Sequence, residues 1–90
     1  MSVSDAMTID FVQGSSMRAR LLGLLALRPH TPTELAAIES KHVSHVSRAL
    51  TELKSKGLVE SVHRGSRERY YRITSQGYAV YAAIALRNAR

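Results

Sequence analysis

The chain has 90 residues, 44% hydrophobic and 22% charged, a composition that folds as one small domain and leaves no room for two independent cores. Cysteine is absent, which excludes disulfides, thiolate metal sites and thiol catalysis. The longest apolar run, Tyr78 to Leu86, is nine residues, whereas a bilayer span needs about 20. Thirteen Lys and Arg against seven Asp and Glu give a net charge of +6, and because residues 1–14 hold only Asp5 and Asp10, residues 15–90 carry +8. Such a surface attracts polyanions, with nucleic acid as the first candidate and an anionic membrane as the second. The opening Met1-Ser-Val-Ser-Asp5 has neither a basic leader nor an apolar signal core, so a cytoplasmic location is expected.

Residues 1–14 are weakly patterned, with Ile9, Phe11 and Val12 apolar and a break at Gly14-Ser15; they read as an N-terminal arm. Ser15 or Ser16 is a natural N-cap for a first helix, in which Met17, Leu21, Leu24 and Leu25 form one stripe. Leu22 points off that stripe, and Pro29 ends the helix soon after Leu27. Thr31, Pro32 and Glu34 form the start of a second helix, with a cap, a proline at the first helical position and a capping box. Leu35, Ala36 and Ile38 are its expected buried side, and it ends near Ser40.

The third helix has the clearest pattern. Val43, Val46, Leu50 and Leu53 fall on one buried stripe, widened by Ala49. Ser44, His45, Ser47, Arg48, Thr51 and Lys54 occupy the other face, and Gly57 closes the helix. The period then changes to two. Leu58 to Val62 and Arg69 to Thr74 read as strands, joined by the polar, basic loop His63-Arg-Gly-Ser-Arg-Glu68. Tyr71 shares a face with Ile73 and is expected in the core. Thr74 or Ser75 then caps a last helix, Gln76 to about Ala89, which is apolar nearly all round.

This order predicts an α+β, mostly α fold: three helices, a two-stranded hairpin wing and a C-terminal helix. The divisions are an arm (1–14), a winged helix-turn-helix (15–74) and a dimerisation helix (75–90). The second helix braces the third, whose short Ser44, Ser47 and Thr51 let a backbone approach base edges, while Arg48 can reach guanine O6 and N7.

The segment from Glu34 to Val59 resembles the winged helix-turn-helix transcription regulators of the MarR and ArsR type, closest to their small archaeal relatives. The match lies in His45-Val-Ser-Arg-x-Leu-x-x-Leu-x-x-x-Gly-Leu-Val59 and in Tyr71-x-Ile-Thr-x-x-Gly77. It covers roughly residues 16–80 and departs at the turn, where Ser40 stands for the usual glycine and Lys41 for an apolar residue. The resemblance implies that Ser44, His45, Ser47 and Arg48 face the major groove, that His42 or Val43 begins the recognition helix, and that Arg64, Arg67 and Arg69 sit in a wing reaching the minor groove or backbone. Facing and charge add Lys41, His42, Thr51, Lys54 and Ser66 to this DNA-binding set. His42 and His45, three residues apart, could bind a metal, but no Cys supports them and DNA contact explains them better.

The expected function is sequence-specific binding of double-stranded DNA by a homodimeric transcription regulator. The alternatives are a non-specific, chromatin-like DNA coat and a winged-helix protein–protein adaptor. Leu22, Tyr78, Val80, Tyr81, Ile84 and Ala85 are the expected dimer interface. No catalytic arrangement, no cofactor, no membrane partner and no obligatory small-molecule ligand is indicated.

Overall fold

In the computed structural model, which describes residues 6–65 and 68–89, the elements run α1 (Ala6–Gln13), α2 (Ser16–Leu27), α3 (Pro32–Glu39), α4 (Val43–Ser55), β1 (Val59–Arg64), β2 (Glu68–Ile73) and α5 (Ser75–Asn88). The helices read from the sequence are thus α2, α3, α4 and α5. The additional helix, α1, lies in the expected arm. Ile9 and Val12, one turn apart, are buried there, and α1 packs on α2 and α5. An eight-residue helix with two buried positions leaves little periodicity in sequence.

The centre of the molecule is α2. Ser15 caps it by accepting from the Arg18 N–H at 3.2 Å. Elements α1, α4, α5 and β2 all pack around it, which is why Leu21, Leu22 and Leu25 are all buried although they do not share one stripe. Leu22 therefore faces the protomer's own core and is not an interface residue, contrary to expectation. Val80 is fully buried in the same core and is corrected likewise.

The second helix starts as its residues dictate. Thr31 Oγ1 accepts from the Glu34 N–H at 3.1 Å, and Glu34 Oε1 accepts from the Thr31 N–H at 3.0 Å. Ile38 departs from the expected buried side and is 50% exposed, whereas Leu35 and Ala36 are buried. Helix α3 closes on Ser40 in the left-handed region, φ 55°, where Lys41 N–H donates to the Ala36 carbonyl at 3.0 Å. Helix α4 closes the same way on Gly57, φ 74°, with Leu58 N–H donating to the Leu53 carbonyl at 3.1 Å.

Strands β1 and β2 pair antiparallel from Val59↔Ile73 to Arg64↔Glu68, so the hairpin is longer and its tip shorter than the sequence suggested. A third short pairing joins them: His30 exchanges backbone hydrogen bonds with Tyr71 at 3.1 and 2.8 Å. His30 is buried, and its Nδ1 donates to the Arg28 carbonyl at 2.8 Å. A single-residue strand has no sequence signature.

Thr74 ties the wing to the helices. Its hydroxyl caps α5 by accepting from the Gly77 N–H at 3.0 Å and donates to the Gly57 carbonyl at 2.7 Å. Gly77 is buried directly against the Leu58 carbonyl, an approach that leaves no room for a Cβ.

Candidate nucleic-acid interface

Helix α4 buries Val46, Ala49, Leu50 and Leu53, so Ser44, Arg48 and Thr51 project from its opposite side and all three are exposed. Two contacts orient the edges. Lys54 Nζ donates to Ser61 Oγ of β1 at 3.2 Å, which marks the edge beside the wing. Glu52 Oε1 accepts from Arg18 Nη1 at 3.1 Å, which marks the edge beside α1 and α2. Ser47 is half-buried, and its carbonyl accepts from the Thr51 hydroxyl at 2.9 Å. Lys41, His42 and His45 are exposed around the helix start. His42 sits at the N-cap without a side-chain hydrogen bond, and no acid lies in the first turn. The positive end of the helix dipole therefore opens toward solvent beside Lys41.

Val43 was expected on the buried stripe but is 47% exposed. It stands in the first turn, where the helix has only begun to meet its neighbours, and it adds one apolar side chain to the exposed surface.

The wing continues this surface. Val59, Ser61, Tyr71 and Ile73 point toward the helices, and Glu60, Val62, Tyr70 and Arg72 point away. By the same alternation the cross-strand pair His63↔Arg69 lies on the helix-side face, beyond the core and exposed. His63 was absent from the expected DNA-binding set; the alternation running on past Val62 is the signal that finds it. Arg64 is described by its backbone, which pairs with Glu68, whereas Ser66 and Arg67 lie outside the described residues.

Charge is distributed unevenly. Every described acid has a partner: Asp10 with Arg87, Glu34 with Arg28, Glu39 with Arg20, Glu52 with Arg18, Glu60 with Arg72, and Glu68 with the Tyr70 hydroxyl. Arg48, Lys41 and Arg69 have none among the described residues, so the unneutralised cations collect on α4, the turn before it and the wing. Behind the wing, Arg28, Pro29, Val62, Tyr70 and Arg72 line a cleft of about 330 Å³, and both of its arginines are among those already paired with acids. Among the described residues no three His, Asp or Glu side chains come together as a metal site, and no helix is long and apolar enough to cross a membrane.

Of the expected dimer set, Tyr78 and Ala85 are exposed and Tyr81 and Ile84 half-buried, while Leu22 and Val80 are buried. Two residues outside that set, Leu86 at 76% and Met7 at 82%, are more exposed than Tyr78 at 53%.

A family model described as the HVO_A0261 N-terminal domain matches residues 6–87. No curated protein sequence matches the chain. Among solved structures, a possible transcriptional regulator for arsenical resistance is 34% identical, with a TM-score of 0.71 over 88% of this chain and 81% of that one. The adhesin competence repressor AdcR of Streptococcus pyogenes superposes with a TM-score of 0.75 at 17% identity, over 81% of this chain and 56% of that one. Lactococcus lactis ZitR in complex with DNA superposes at 0.72 and 23% identity, over 80% of this chain and 51% of that one. The fold is thus the winged helix of these regulators, and the chain spans about half the length of AdcR and ZitR.

Proposed function

The chain belongs to the HVO_A0261 N-terminal domain family, and from that premise we propose that it is a transcription regulator that binds specific sequences in double-stranded DNA as a homodimer. Helix α4 enters the major groove, and the wing lies on the minor groove or backbone. The observation that carries this reading is the distribution of partners: five of the six described acids, all but Glu68, pair with arginines, while Lys41, Arg48 and Arg69 have no acid partner among the described residues and are exposed on the turn before α4, on α4 with Ser44 and Thr51, and on the wing. The likeness to ZitR, a mutant of which was solved in complex with DNA, supports DNA as the partner.

Binding to duplex DNA measured against salt tests it. A dimer neutralising about six to eight phosphates loses roughly a thousandfold or more in affinity between 50 and 200 mM salt. A flat titration removes the DNA reading. Nuclease footprinting on genomic DNA then separates a regulator, which protects discrete sites, from a coat, which protects everything.

A further inference from the structure

Glu52 is the one carboxylate on α4, and it stands a single turn after Arg48 on the same edge. Residues four apart on a helix are neighbours, so Glu52 is within reach of Arg48 one turn back as well as of Lys56 one turn on. Glu52 is instead held by Arg18 of α2, Nη1 to Oε1 at 3.1 Å. Arg18 is itself fixed from the other side: its Nε donates to the Phe11 carbonyl at 2.8 Å, and its guanidinium lies 4.1 Å from the centre of the Phe11 ring. Its side chain is 19% exposed, against 42% for Glu52. Thus α1 and α2 together present one oriented, largely buried cation to the recognition helix.

We propose that Arg18 is a positioning residue for DNA recognition, holding Glu52 on the α1–α2 side so that Arg48 stays free to reach DNA. The inference rests on the DNA-binding reading above. Without Arg18 the Glu52 carboxylate turns to the cation one turn back, neutralises Arg48 and adds a negative charge at the edge of a surface that must meet phosphates. Lys56, one turn on, is the competing partner; its Nζ sits 5.3 Å from the centre of the same Phe11 ring, on the far side of Glu52 from Arg48.

The test is fluorescence anisotropy with a labelled duplex that the wild-type chain enriches from a random-sequence pool, with circular dichroism of each variant as a folding control. Arg18→Gln is expected to bind about 5- to 10-fold more weakly. Arg18→Gln with Glu52→Gln is expected to return to within about twofold of wild type, because no carboxylate is left to compete. Arg18→Lys, which keeps a cation beside Glu52, is expected within about threefold and serves where the glutamine variant does not fold. Three results overturn the proposal: Arg18→Gln binding like wild type, a double variant that stays weak, or Arg18→Lys as weak as Arg18→Gln. If the wild-type chain enriches no duplex at all, the DNA reading falls and takes this inference with it, a result distinct from the other three.

Discussion

At the scale of single residues, Arg48 and Arg69 are both exposed cations with no acid beside them among the described residues, yet the proposed binding mode gives them different work. Arg48 lies in the N-terminal half of α4, on the side opposite its buried stripe, where a recognition helix meets base edges. Arg69 lies on the hairpin, where contacts go to the backbone. Arg48→Ala should therefore weaken binding to a selected site by about 1–3 kcal/mol and to a random duplex by much less. Arg69→Ala should weaken both about equally, and competition binding with the two duplexes checks the pair. If Arg48→Ala binds the selected site like wild type while folded, α4 does not read the sequence. Ser40 makes a prediction about stability. It closes α3 at φ 55°, the conformation that Gly57 adopts at φ 74° at the end of α4. An L side chain is strained there and glycine is not, so Ser40→Gly should stabilise the fold by about 0.5–1 kcal/mol in urea denaturation, net of the extra freedom of the unfolded chain. Exposed Lys41 then follows a relaxed turn, and DNA binding should be unchanged.

At the scale of elements, two glycines in helices separate packing from propensity. A methyl group on Gly77 would overlap the Leu58 carbonyl oxygen and come within 2.8 Å of Ile73 Cγ1, so Gly77→Ala must push α5 off the end of β1. The expected loss is about 2 kcal/mol or more, read as a fall in the denaturation midpoint. In α2 the nearest atom to a methyl on Gly23 is Tyr81 Cε1 at 3.6 Å, ordinary contact, so Gly23→Ala should be neutral or stabilising by up to about 1 kcal/mol. Equal effects of the two would show that α5 does not dock through Gly77. The same contrast explains what could be read from the sequence. The start of α3 was legible because Thr31, Pro32 and Glu34 act on their own backbone. The exposed face of α4 was legible because its buried residues recur at one spacing over the whole helix. Position Val43 was not, since periodicity says nothing of where neighbouring elements stop covering the first turn. Nor was α1 legible, because Ile9 and Val12 are buried by packing of α1 on other elements, α2 and α5 foremost, and not by a pattern of its own. In the candidate site the charged residues could be picked out one by one, but Glu52's choice of Arg18 over Arg48 depends on a contact between helices 34 residues apart in sequence.

At the scale of the whole molecule, the question is what the last helix does with its uncovered side. Helix α5 spends Gly77 and Val80 on the core of its own protomer. The remaining face still carries Tyr78 at 53% and Leu86 at 76% exposure, with Ala82 and Ala85 between them. Tyr78 leans on Tyr81, ring centres 5.9 Å apart, and Arg87 joins the helix to α1 through Gln13 at 2.6 Å. An apolar side chain as exposed as Leu86, on a face with alanines that permit close approach, suits a second helix of the same kind. This is the surface we expect to form the homodimer, shifted from the sequence expectation by the loss of Leu22 and Val80 to the core and by the gain of Leu86. Twofold symmetry about it would set two α4 helices about 34 Å apart, one turn of DNA, and would demand a palindromic site. Leu86→Glu is the selective test, because the side chain is too exposed to support the protomer core. Light scattering at micromolar concentration should give a dimer mass for the wild-type chain and a monomer mass for the variant, with unchanged helix content. The variant should also bind a palindromic duplex with the affinity of a half-site. A monomer mass for the wild-type chain would refute the dimer and leave a single-site binder with a shorter, non-palindromic footprint.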